Sequence, residues 1–576
     1  MPCPPPLVWF SVAVTITATA TFCATITDQW ALMGATDAFI APGSRSTPLA
    51  LALVADRRIA THLVHDERSA SFACLGHGLA TGRPAILLCT SGTAATHFHG
   101  AVAEADASRV PMLVCTADRP PELWGIGAPQ TIDQTDLYGE AVRGFLEPGP
   151  PDDPGVDPAT WRPMAADAWT AAIGATGSLP GPVHLNLSFR DPLVGEPDVL
   201  PPTIPAADRE SNDQPLGGFP MVDLPDRGVI VAGRSGASPD DVFALADATG
   251  WPILADARSG CRRPGASVSR FDSLLRSPAF ATAMRPDMIV RVGEPPASKV
   301  LGQWIASSAR AGADVLALTD GGQLLDPERV ASAVLPVASA LPRFVQLATN
   351  QPSPTASFAT QWLAADLTAD ATITELLGDV ISEPAVARAV TGGLTAGTAL
   401  VVSSSMPIRD VEWYGTARDD IEVFANRGAN GIDGVTSTAM GIALTGRPTA
   451  ILIGDVAFLH DSNALIALRQ RSIDLTIIVI DNDGGAIFSF LPQHDILPAA
   501  DYEFLFGTPH GTDLSMLCDA HGIRSGPWDP DALGAPGIQV LIARTERAEN
   551  LDLHGRLVTA VIDAINPIDA DQTPGL

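Results

Sequence analysis

At 576 residues the chain is long enough for three domains of ordinary size, and 46% of its residues are hydrophobic. That composition can fill large cores and is not typical of a disordered protein. The formal net charge of −30 at pH 7 argues against nucleic acid as a partner, because phosphate binding requires a basic surface.

Lysine is almost absent from the chain. Of the 35 basic residues only Lys299 is a lysine, and all the others are arginine. Scarce lysine with abundant aspartate resembles the composition of proteins from halophilic archaea, whose acidic surfaces stay hydrated in concentrated salt. A GC-rich genome is the alternative explanation of the same composition.

The cysteines and the N-terminal residues indicate the cellular compartment of the protein. Seven irregularly spaced cysteines with no Cys-x-x-Cys pair predict neither a disulfide framework nor a zinc site, so we expect a cytoplasmic protein. Residues 1–20 are apolar but short and rich in threonine, which does not favour a membrane span. We interpret them as an extension of uncertain status, with a signal peptide as the less favoured alternative, and we expect no contact with a membrane.

In the first third of the chain, short apolar strands alternate with polar or glycine-rich turns and with helical stretches such as 69–80. Such alternation predicts a doubly wound parallel sheet. A segment rich in proline, glycine and acidic residues, 191–220, then reads as a linker. The predicted strands of this part are 37–41, 61–64, 85–89, 112–115 and 182–187.

The same rhythm recurs twice after this linker, with a second linker at 349–370. We therefore predict an α/β fold with three doubly wound parallel-sheet domains, at residues 21–190, 221–348 and 371–576. The predicted strands of the second domain are 228–232, 252–255, 288–292 and 314–318, and those of the third include 399–402, 422–424, 450–453 and 475–480.

Oxygen-bearing side chains follow two strands of the third domain. Asp455 comes directly after one apolar run, and Asn482 comes 27 positions later, after the next run, in a tight turn that contains Gly484. Ligands of parallel sheets bind beyond the carboxyl ends of the strands. A carboxylate, an amide oxygen and a backbone carbonyl suit a hard cation such as Mg²⁺, and Mg²⁺ prefers to share its shell with phosphate. The alternative is that Asp455 caps a helix and Asn482 supports a turn.

This spacing resembles the metal–diphosphate motif of thiamine diphosphate enzymes, although Val456 stands where the motif usually has glycine. The resemblance implies that Asp455, the Asn482 side chain and the Gly484 carbonyl hold Mg²⁺ or Mn²⁺. It also implies that a glutamate activates the cofactor, and Glu67, which follows a strand, is the candidate. A surface salt bridge to a nearby arginine is the alternative role for Glu67.

Six segments, in order along the chain, identify a narrower family. They run from the first domain to the third, whereas the middle domain matches weakly. The segments are APGSRSTPLALAL (41–53), HDERSASFACLGHGLATGRP (65–84), TSGTAA (90–95), TADRPPELWGIGAPQTIDQ (116–134), NRGANGIDG (426–434) and DNDGGAIFSFLP (481–492).

Together these segments resemble the 2-succinyl-5-enolpyruvyl-6-hydroxy-3-cyclohexene-1-carboxylate synthases of menaquinone biosynthesis. The resemblance implies a pyrimidine-binding domain (21–190), a central domain (221–348) and a diphosphate-binding domain (371–576). It implies thiamine diphosphate-dependent decarboxylation of 2-oxoglutarate and addition of the resulting succinyl carbanion to isochorismate. It also implies a homodimer or homotetramer with sites completed by two subunits.

The resemblance assigns roles to particular residues. Both substrates are dicarboxylates, and arginine binds a carboxylate through two parallel hydrogen bonds. Pro129 and Val300 replace residues common in the family, so isochorismate recognition differs in detail. The implied substrate-binding residues are Ser44, Arg45, Arg119, Lys299, Ser405, Arg409 and Arg427, and the implied cofactor-binding residues are Glu67, Gln130, Ile432, Asp455, Asn482, Ile487 and Phe488.

Two other functions fit parts of the sequence. Another thiamine diphosphate enzyme such as acetolactate synthase, which binds a flavin dinucleotide in its middle domain, would share the metal motif but not the set of arginines. A non-catalytic scaffold would keep the fold, but it would not need Glu67, Asp455 and Asn482.

The acidic composition predicts that the melting temperature rises from dilute buffer to molar KCl. Surface carboxylates repel one another when screening is weak, and at 1 M salt the Debye length falls to about 3 Å. Differential scanning calorimetry across a KCl series checks this, with a non-ionic osmolyte as the control that does not screen charge. A melting temperature that is flat or falling in KCl would contradict a halophilic origin.

Overall fold

The computed structural model describes residues 15–175, 177–204, 224–351 and 357–565. The chain divides into two compact units, Met1–Glu210 and Ser211–Leu576. Within the described residues every strand pair is parallel. Three parallel sheets flanked by helices result, as the strand–helix alternation predicts.

The first unit contains one six-stranded sheet with the order β2-β1-β3-β4-β6-β5. Its central strands are buried along their whole length, which is typical of parallel strands covered by helices on both faces. The strands are β1 Asp37–Ile40, β2 Ala60–Leu63, β3 Ala85–Cys89, β4 Met112–Asp118, β5 Phe145–Leu146 and β6 Pro182–Ser188. The helices are α1 Ala18–Met33, α2 Thr47–Ala55, α3 Glu67–Thr81, α4 Thr93–Thr96, α5 His99–Ser108 and α6 Trp161–Ala172.

Residues 15–20 belong to the fold of this unit, so a boundary after residue 20 falls inside a helix. Thr17 caps α1, because its hydroxyl accepts a hydrogen bond from the Ala20 N–H over 3.1 Å. Ile16 forms a parallel bridge with Glu196, inside the segment interpreted as a linker. The helix is buried through Phe22, Ile26 and Trp30, which lie four residues apart on one face. Residues 1–14 and 205–223 lie outside the described part of the chain.

The second unit begins with a five-stranded sheet of order β11-β10-β9-β7-β8. Its strands are β7 Gly228–Ala232, β8 Ile253–Ala255, β9 Met288–Val292, β10 Asp314–Thr319 and β11 Ala333–Pro336. Its helices are α7 Pro239–Thr249, α8 Phe271–Leu275, α9 Pro278–Ala283, α10 Lys299–Arg310, α11 Val337–Thr349 and α12 Ser357–Leu377.

The second unit continues into a six-stranded sheet of order β13-β12-β14-β15-β17-β16. Its strands are β12 Ala399–Val402, β13 Glu422–Phe424, β14 Thr449–Gly454, β15 Leu475–Asp481, β16 Arg524–Pro527 and β17 Ile538–Arg544. Its helices are α13 Glu383–Gly393, α14 Met406–Tyr414, α15 Val435–Ala443, α16 Asp455–His460, α17 Ala464–Leu468, α18 Gln493–Ile496, α19 Ala499–Tyr502, α20 Leu514–Ala520 and α21 Arg547–Ile565.

The expectation of a linker over 349–370 is wrong for most of its length, because residues 357–370 lie in α12. Phe358, Trp362, Ala369 and Ile373 line one face of this helix and are buried. They belong to a core that also contains residues of α8 and α21. The helix therefore joins the middle and third sheets into one compact unit.

The strand order locates the switch point in two of the three sheets, which is the place where the connections from neighbouring strands run in opposite directions. In the third sheet β12 lies between β13 and β14, so the connections leave β12 and β14 in opposite directions along the sheet. In the first sheet the equivalent point lies between β1 and β3. Open α/β sheets bind ligands at such points, beyond the carboxyl ends of the strands. Among the described residues, no helix combines the length and the apolar character that crossing a membrane requires.

Trp362→Ala tests the packing of α12. Trp362 is fully buried and its ring meets Phe280 and Trp304 edge-to-face, at centroid distances of 5.0 and 5.7 Å. Deleting a buried tryptophan leaves a cavity, and we expect a loss of about 3–5 kcal/mol in the free energy of unfolding by urea titration. Leu367→Ala is the matched control on the same helix, since Leu367 is 61% exposed. Equal effects of both substitutions would contradict this packing.

Candidate functional site

A cavity of about 540 Å³ lies beyond the carboxyl ends of β12, β14 and β15, at the switch point of the third sheet. The first residues of α14 line it, and a helix N-terminus favours anionic ligands. It collects nine of the residues named in the sequence analysis. These are Ser405, Arg409, Arg427, Ile432, Asp455, Asn482, Gly484, Ile487 and Phe488.

Asp455 is the most constrained acidic residue of the cavity. It is 1% exposed, and its Oδ2 accepts hydrogen bonds from the backbone N–H groups of Asn482 and Gly484 over 3.1 and 3.0 Å. Its Oδ1 accepts a third, from the Val456 N–H, over 2.7 Å. Burial raises the pKa of Asp455, and the N–H groups of Gly484 and Val456 counteract part of that rise. A buried carboxylate in this setting would gain from a neighbouring cation.

Asn482 contributes a side-chain oxygen, Oδ1, to the cavity that Asp455 lines. Its Nδ2 donates to Glu383 Oε1 over 2.9 Å, and its Oδ1 is buried with no hydrogen-bond partner among the described residues. A buried polar atom without a partner is uncommon in native structures, and this one is free to bind a ligand. Because an amide oxygen is a good ligand for a hard cation, the residues present fit a metal ion such as Mg²⁺.

The turn after Asn482 can be made only with glycine at position 484. Gly484 has a φ of 142°, and a Cβ atom there would lie 1.9 Å from the Gly507 carbonyl oxygen. This close approach brings the loop around Gly507 beside the turn. The loop also carries His510, whose Nε2 lies 3.3 Å from Asp455 Oδ2.

A second set of possible metal ligands shares Asp455 with the first. One ligand atom each from Asp455, Asp481 and His510 lie within 4.8 Å of one another. Neither Asp481 nor His510 was predicted as a ligand from the sequence. The position of Asp481 at the end of β15 was a usable signal, whereas His510 follows no strand and has no sequence signal that places it near Asp455.

Two cationic side chains also line the cavity. Arg409 and Arg427 are half-buried, and no carboxylate among the described residues lies within ion-pair distance of either guanidinium group. Burial lowers the pKa of both, and the neighbouring cation Arg258 adds to the effect on Arg427. Arg409 Nη1 donates to the Ser405 carbonyl oxygen over 2.5 Å. Two incompletely neutralised guanidinium groups suit an anionic ligand with carboxylate groups.

Lys299 lines an adjoining cavity of about 600 Å³, which shares Met406, Arg409 and Ile487 with the first. It is the first residue of α10 and is exposed. Lys299 and Arg409 thus line the same adjoining cavity, whereas Lys299 does not line the first one.

The remaining predicted residues lie in the first unit, around its own switch point. Ser44 and Arg45 follow β1, and Ser44 is exposed. Arg45 is buried, and its Nη1 donates to the Phe189 carbonyl oxygen over 2.8 Å, with Asp191 Oδ2 at 3.5 Å. Arg119 follows β4, and its pKa is lowered by burial and then by the charge of Arg45. The two guanidinium groups are therefore neighbours.

Glu67 and Gln130 also lie in this unit. Glu67 is the half-buried first residue of α3, directly after Asp66, which caps the helix by accepting from the Ser69 N–H. Gln130 exchanges two hydrogen bonds of 3.0 Å with Ser91, through its own side-chain amide and backbone carbonyl. Gln130 is thereby tied to the turn that follows β3.

Glu383 is the main cavity residue that the sequence analysis missed. It is 2% exposed and lines the cavity beside Asn482. Burial, and then the charge of Asp410, raise the pKa of Glu383 to about 8. The Ser-Glu-Pro sequence at 382–384 predicts the start of a helix, but it carries no signal for a contact with a residue 99 positions away.

Comparison with family models assigns all three parts of the chain to one class. Residues 21–137 match "Thiamine pyrophosphate enzyme, N-terminal TPP binding domain", and residues 422–531 match the C-terminal TPP binding domain of the same enzymes. Residues 223–402 match "Middle domain of thiamine pyrophosphate". The domains and their parallel-sheet fold are those of a three-domain thiamine diphosphate enzyme.

Full-length relatives narrow the class. The 2-succinyl-5-enolpyruvyl-6-hydroxy-3-cyclohexene-1-carboxylate synthase of Thermobifida fusca is 42% identical over 94% of this chain and 98% of its own length. The synthase of the same name from Myxococcus xanthus is 39% identical over 91% and 94%. That from Chloroflexus aurantiacus is 37% identical over 94% and 96%. The chain belongs to this synthase family.

Asp455→Ala tests the role of the buried carboxylate in the cavity. The substitution removes the buried carboxylate, and we expect the affinities for Mg²⁺ and for the diphosphate of the cofactor to fall together. The loss should reach at least about 100-fold, above the 10- to 100-fold range of residues that only support a ligand. Isothermal titration calorimetry measures both affinities.

Asp495→Ala is the matched control, because it removes the same charge from a side chain that is 85% exposed. Cofactor affinity that is the same in both variants would contradict the assignment of Asp455.

Proposed function

We propose that this chain catalyses the thiamine diphosphate-dependent decarboxylation of 2-oxoglutarate and the addition of the succinyl group to isochorismate. The product is 2-succinyl-5-enolpyruvyl-6-hydroxy-3-cyclohexene-1-carboxylate, an intermediate of menaquinone biosynthesis. Membership of the synthase family supports the proposal. The single observation that carries it is one cavity lined by Asp455, by Asn482 with its partnerless Oδ1, and by Arg409 and Arg427.

The carboxylate and amide residues of the cavity would hold the metal and the diphosphate. We assign Asp455, the Asn482 side chain and the Gly484 carbonyl to Mg²⁺ or Mn²⁺. Thiamine diphosphate, when bound, supplies a nucleophilic carbon and an electron sink for the decarboxylation of a 2-oxo acid. Ile432, Ile487 and Phe488 would give the cofactor apolar walls that exclude water, and Gln130 would lie near cofactor and substrate.

Glu67 is the residue to which we assign proton transfer. A carboxyl group that hydrogen-bonds the pyrimidine ring of the cofactor can hold and return the proton that the ring exchanges. Asp66 caps α3 and so fixes the backbone of the first turn of the helix, to which Glu67 belongs.

The cationic residues would bind the substrate carboxylates. Arg409 and Arg427, with Ser405, lie beside the proposed metal site, so we assign them to the succinyl carboxylate of 2-oxoglutarate. Arg45 and Arg119 of the first unit, with Ser44, would bind isochorismate, and we place Lys299 with the substrate-binding residues as well. Guanidinium groups that burial leaves incompletely solvated bind carboxylates more strongly than exposed ones do.

The structure of the middle sheet favours the proposed function over that of a synthase that binds a flavin dinucleotide, because loops occupy the place where the dinucleotide would bind. Its switch point lies between β7 and β9, where an open α/β sheet would bind a dinucleotide. The loops that follow these strands pack directly on each other. The Glu294 N–H donates to the Arg234 carbonyl oxygen over 2.9 Å, and a Cβ atom at Gly233 would lie 1.8 Å from the Glu294 carbonyl oxygen.

We also propose a cytoplasmic homodimer or homotetramer. The cysteines of the described residues are free and buried, which supports a reducing compartment. Glu67 belongs to the first compact unit and Asp455 to the second. The resemblance of the sequence implies that two subunits contribute these residues to each site.

Product analysis tests the proposed function directly. The purified chain is mixed with thiamine diphosphate, Mg²⁺, 2-oxoglutarate and isochorismate, and the products are identified by mass spectrometry. We expect release of CO₂ and formation of the succinylated cyclohexene. A parallel reaction contains pyruvate in place of the two substrates, and consumption of pyruvate there, with no product from 2-oxoglutarate, would favour an acetolactate synthase.

Glu67→Gln should lower turnover by about 10²–10⁴-fold, because glutamine keeps the shape but cannot exchange the proton. Binding of thiamine diphosphate, measured by calorimetry, should be retained. Glu140→Gln, at an exposed position of the same unit, is the control. Near-normal turnover of the Glu67 variant would show that another group exchanges the proton.

Mixing two inactive variants tests the shared site. A dimer with one Glu67→Gln subunit and one Asp455→Ala subunit would carry both substitutions in one site and neither in the other. After the subunits are unfolded and refolded together, the mixture should recover up to about a quarter of wild-type activity, by the arithmetic of random pairing. Recovery should be absent if each subunit builds its own sites, and each variant refolded alone is the control.

A further inference from the structure

Glu383 is a buried carboxyl group at the wall of the cavity, and the proposed function gives it no role. It is the first residue of α13 and lines the cavity together with Asp455 and Asn482. Burial of a carboxyl group is unfavourable unless specific interactions compensate for the lost water. The contacts of Glu383 therefore indicate what the residue does.

The main contact of Glu383 is with the side chain of Asn482. Glu383 Oε1 accepts a hydrogen bond of 2.9 Å from Asn482 Nδ2, and a longer one of 3.3 Å from Thr545 Oγ1. The backbone N–H of Asn482 already donates to Asp455 Oδ2. Both nitrogens of Asn482 are thus engaged, and the side-chain atom that has no partner among the described residues is Oδ1.

We propose that Glu383 is a positioning residue that holds the Asn482 amide with Oδ1, rather than Nδ2, directed at the metal. Rotation of an asparagine amide by half a turn exchanges its oxygen and its nitrogen, and only the oxygen is a ligand for a hard cation. In the rotated state Oδ1 would face the Glu383 oxygen and lose the hydrogen bond. Oε1 also accepts the Thr545 hydroxyl, so in the neutral form of Glu383 the proton lies on Oε2 and Oε1 stays the acceptor that faces Asn482.

This inference rests on the proposed metal–diphosphate site and adds the residue that selects its amide ligand. Residues that orient a metal ligand without touching the metal typically change metal affinity by about 10- to 100-fold when they are replaced. The effect should appear in metal binding itself, before any turnover.

The test is calorimetric titration of the full chain with Mg²⁺ in the presence of thiamine diphosphate. Glu383→Leu removes the acceptor at similar size and should weaken Mg²⁺ binding by about 10- to 100-fold. Glu383→Gln keeps an acceptor oxygen and should bind close to the wild-type value. Ser382→Ala is the matched control. The Ser382 hydroxyl caps the same helix by accepting from the Ala385 N–H, so the substitution removes the cap and leaves Glu383 in place. It should lower the melting temperature without changing Mg²⁺ affinity.

A second arm separates positioning from a general loss of structure. In an Asn482→Asp background both ends of the side chain are oxygens, so the orientation of the group no longer matters. There Glu383→Leu should cause no further loss of Mg²⁺ affinity. If Glu383→Leu unfolds the chain, Glu383→Met is the second variant without an acceptor.

Three results would overturn the positioning role. Equal losses for Glu383→Gln and Glu383→Leu would show that Glu383 acts as a ligand or through its charge. The same loss in the Asn482→Asp background would show a purely structural contribution. If the wild-type chain binds Mg²⁺ and Glu383→Leu binds it with unchanged affinity, this inference alone is overturned. If the wild-type chain binds neither Mg²⁺ nor thiamine diphosphate, the proposed function is overturned as well.

Discussion

The rest of the site depends on the burial of one carboxylate between two adjacent parallel strands. Asp455 directly follows β14, and its Oδ2 accepts hydrogen bonds from the backbone N–H groups of Asn482 and Gly484, which follow β15. These bonds fix the turn after β15 in register with the end of β14. A buried charge is tolerated in a protein only when it is paired and hydrogen-bonded, so the N–H groups satisfy part of the requirement and a cation would satisfy the remainder.

The cavity is lined by unlike charges, and this lining defines the ligands that fit. Asp455 lines it together with Arg409 and Arg427, and Ile487 and Phe488 add apolar surface to the same wall. Neither set neutralises the other within ion-pair distance among the described residues. A metal with a diphosphate would compensate the first set, and a carboxylate substrate would compensate the second. One cofactor and one substrate, bound together, thus account for both sets.

The sequence predicts the parts of this site that depend only on residues close together in the chain, such as an apolar strand and the residue that follows it. β14 and β15 are apolar runs rich in β-branched residues, and parallel strands buried on both faces have this composition. Asp455 and Asn482 could be paired because neighbouring parallel strands end at the same edge. The family resemblance added the arginines, which composition and periodicity do not distinguish from surface residues. Their roles, and that of Glu67, stay predictions.

Other parts depend on contacts between distant positions, for which a single sequence carries no signal. Glu383 and His510 reach Asn482 and Asp455 across 99 and 55 positions. The helix α12 was not predicted because the proline-rich stretch before it is typical of a linker. Its apolar face is explained only by packing against α8 and α21, which the sequence does not show. Arg45 is a related case, because its sequence motif does not reveal that the guanidinium donates to the Phe189 carbonyl oxygen.

The central claim is that Asp455, Asn482 and Gly484 together form a metal–diphosphate site. A crystal structure of the chain grown with Mn²⁺ and thiamine diphosphate, with the anomalous signal of the metal, tests this claim most directly. The account predicts one metal ion bound to an Asp455 carboxylate oxygen, Asn482 Oδ1 and the Gly484 carbonyl oxygen, at about 2.0–2.2 Å, the range for small hard cations, with diphosphate oxygens completing its shell. A metal ion bound instead by Asp455, Asp481 and His510, with Asn482 Oδ1 turned away from it, would contradict the account.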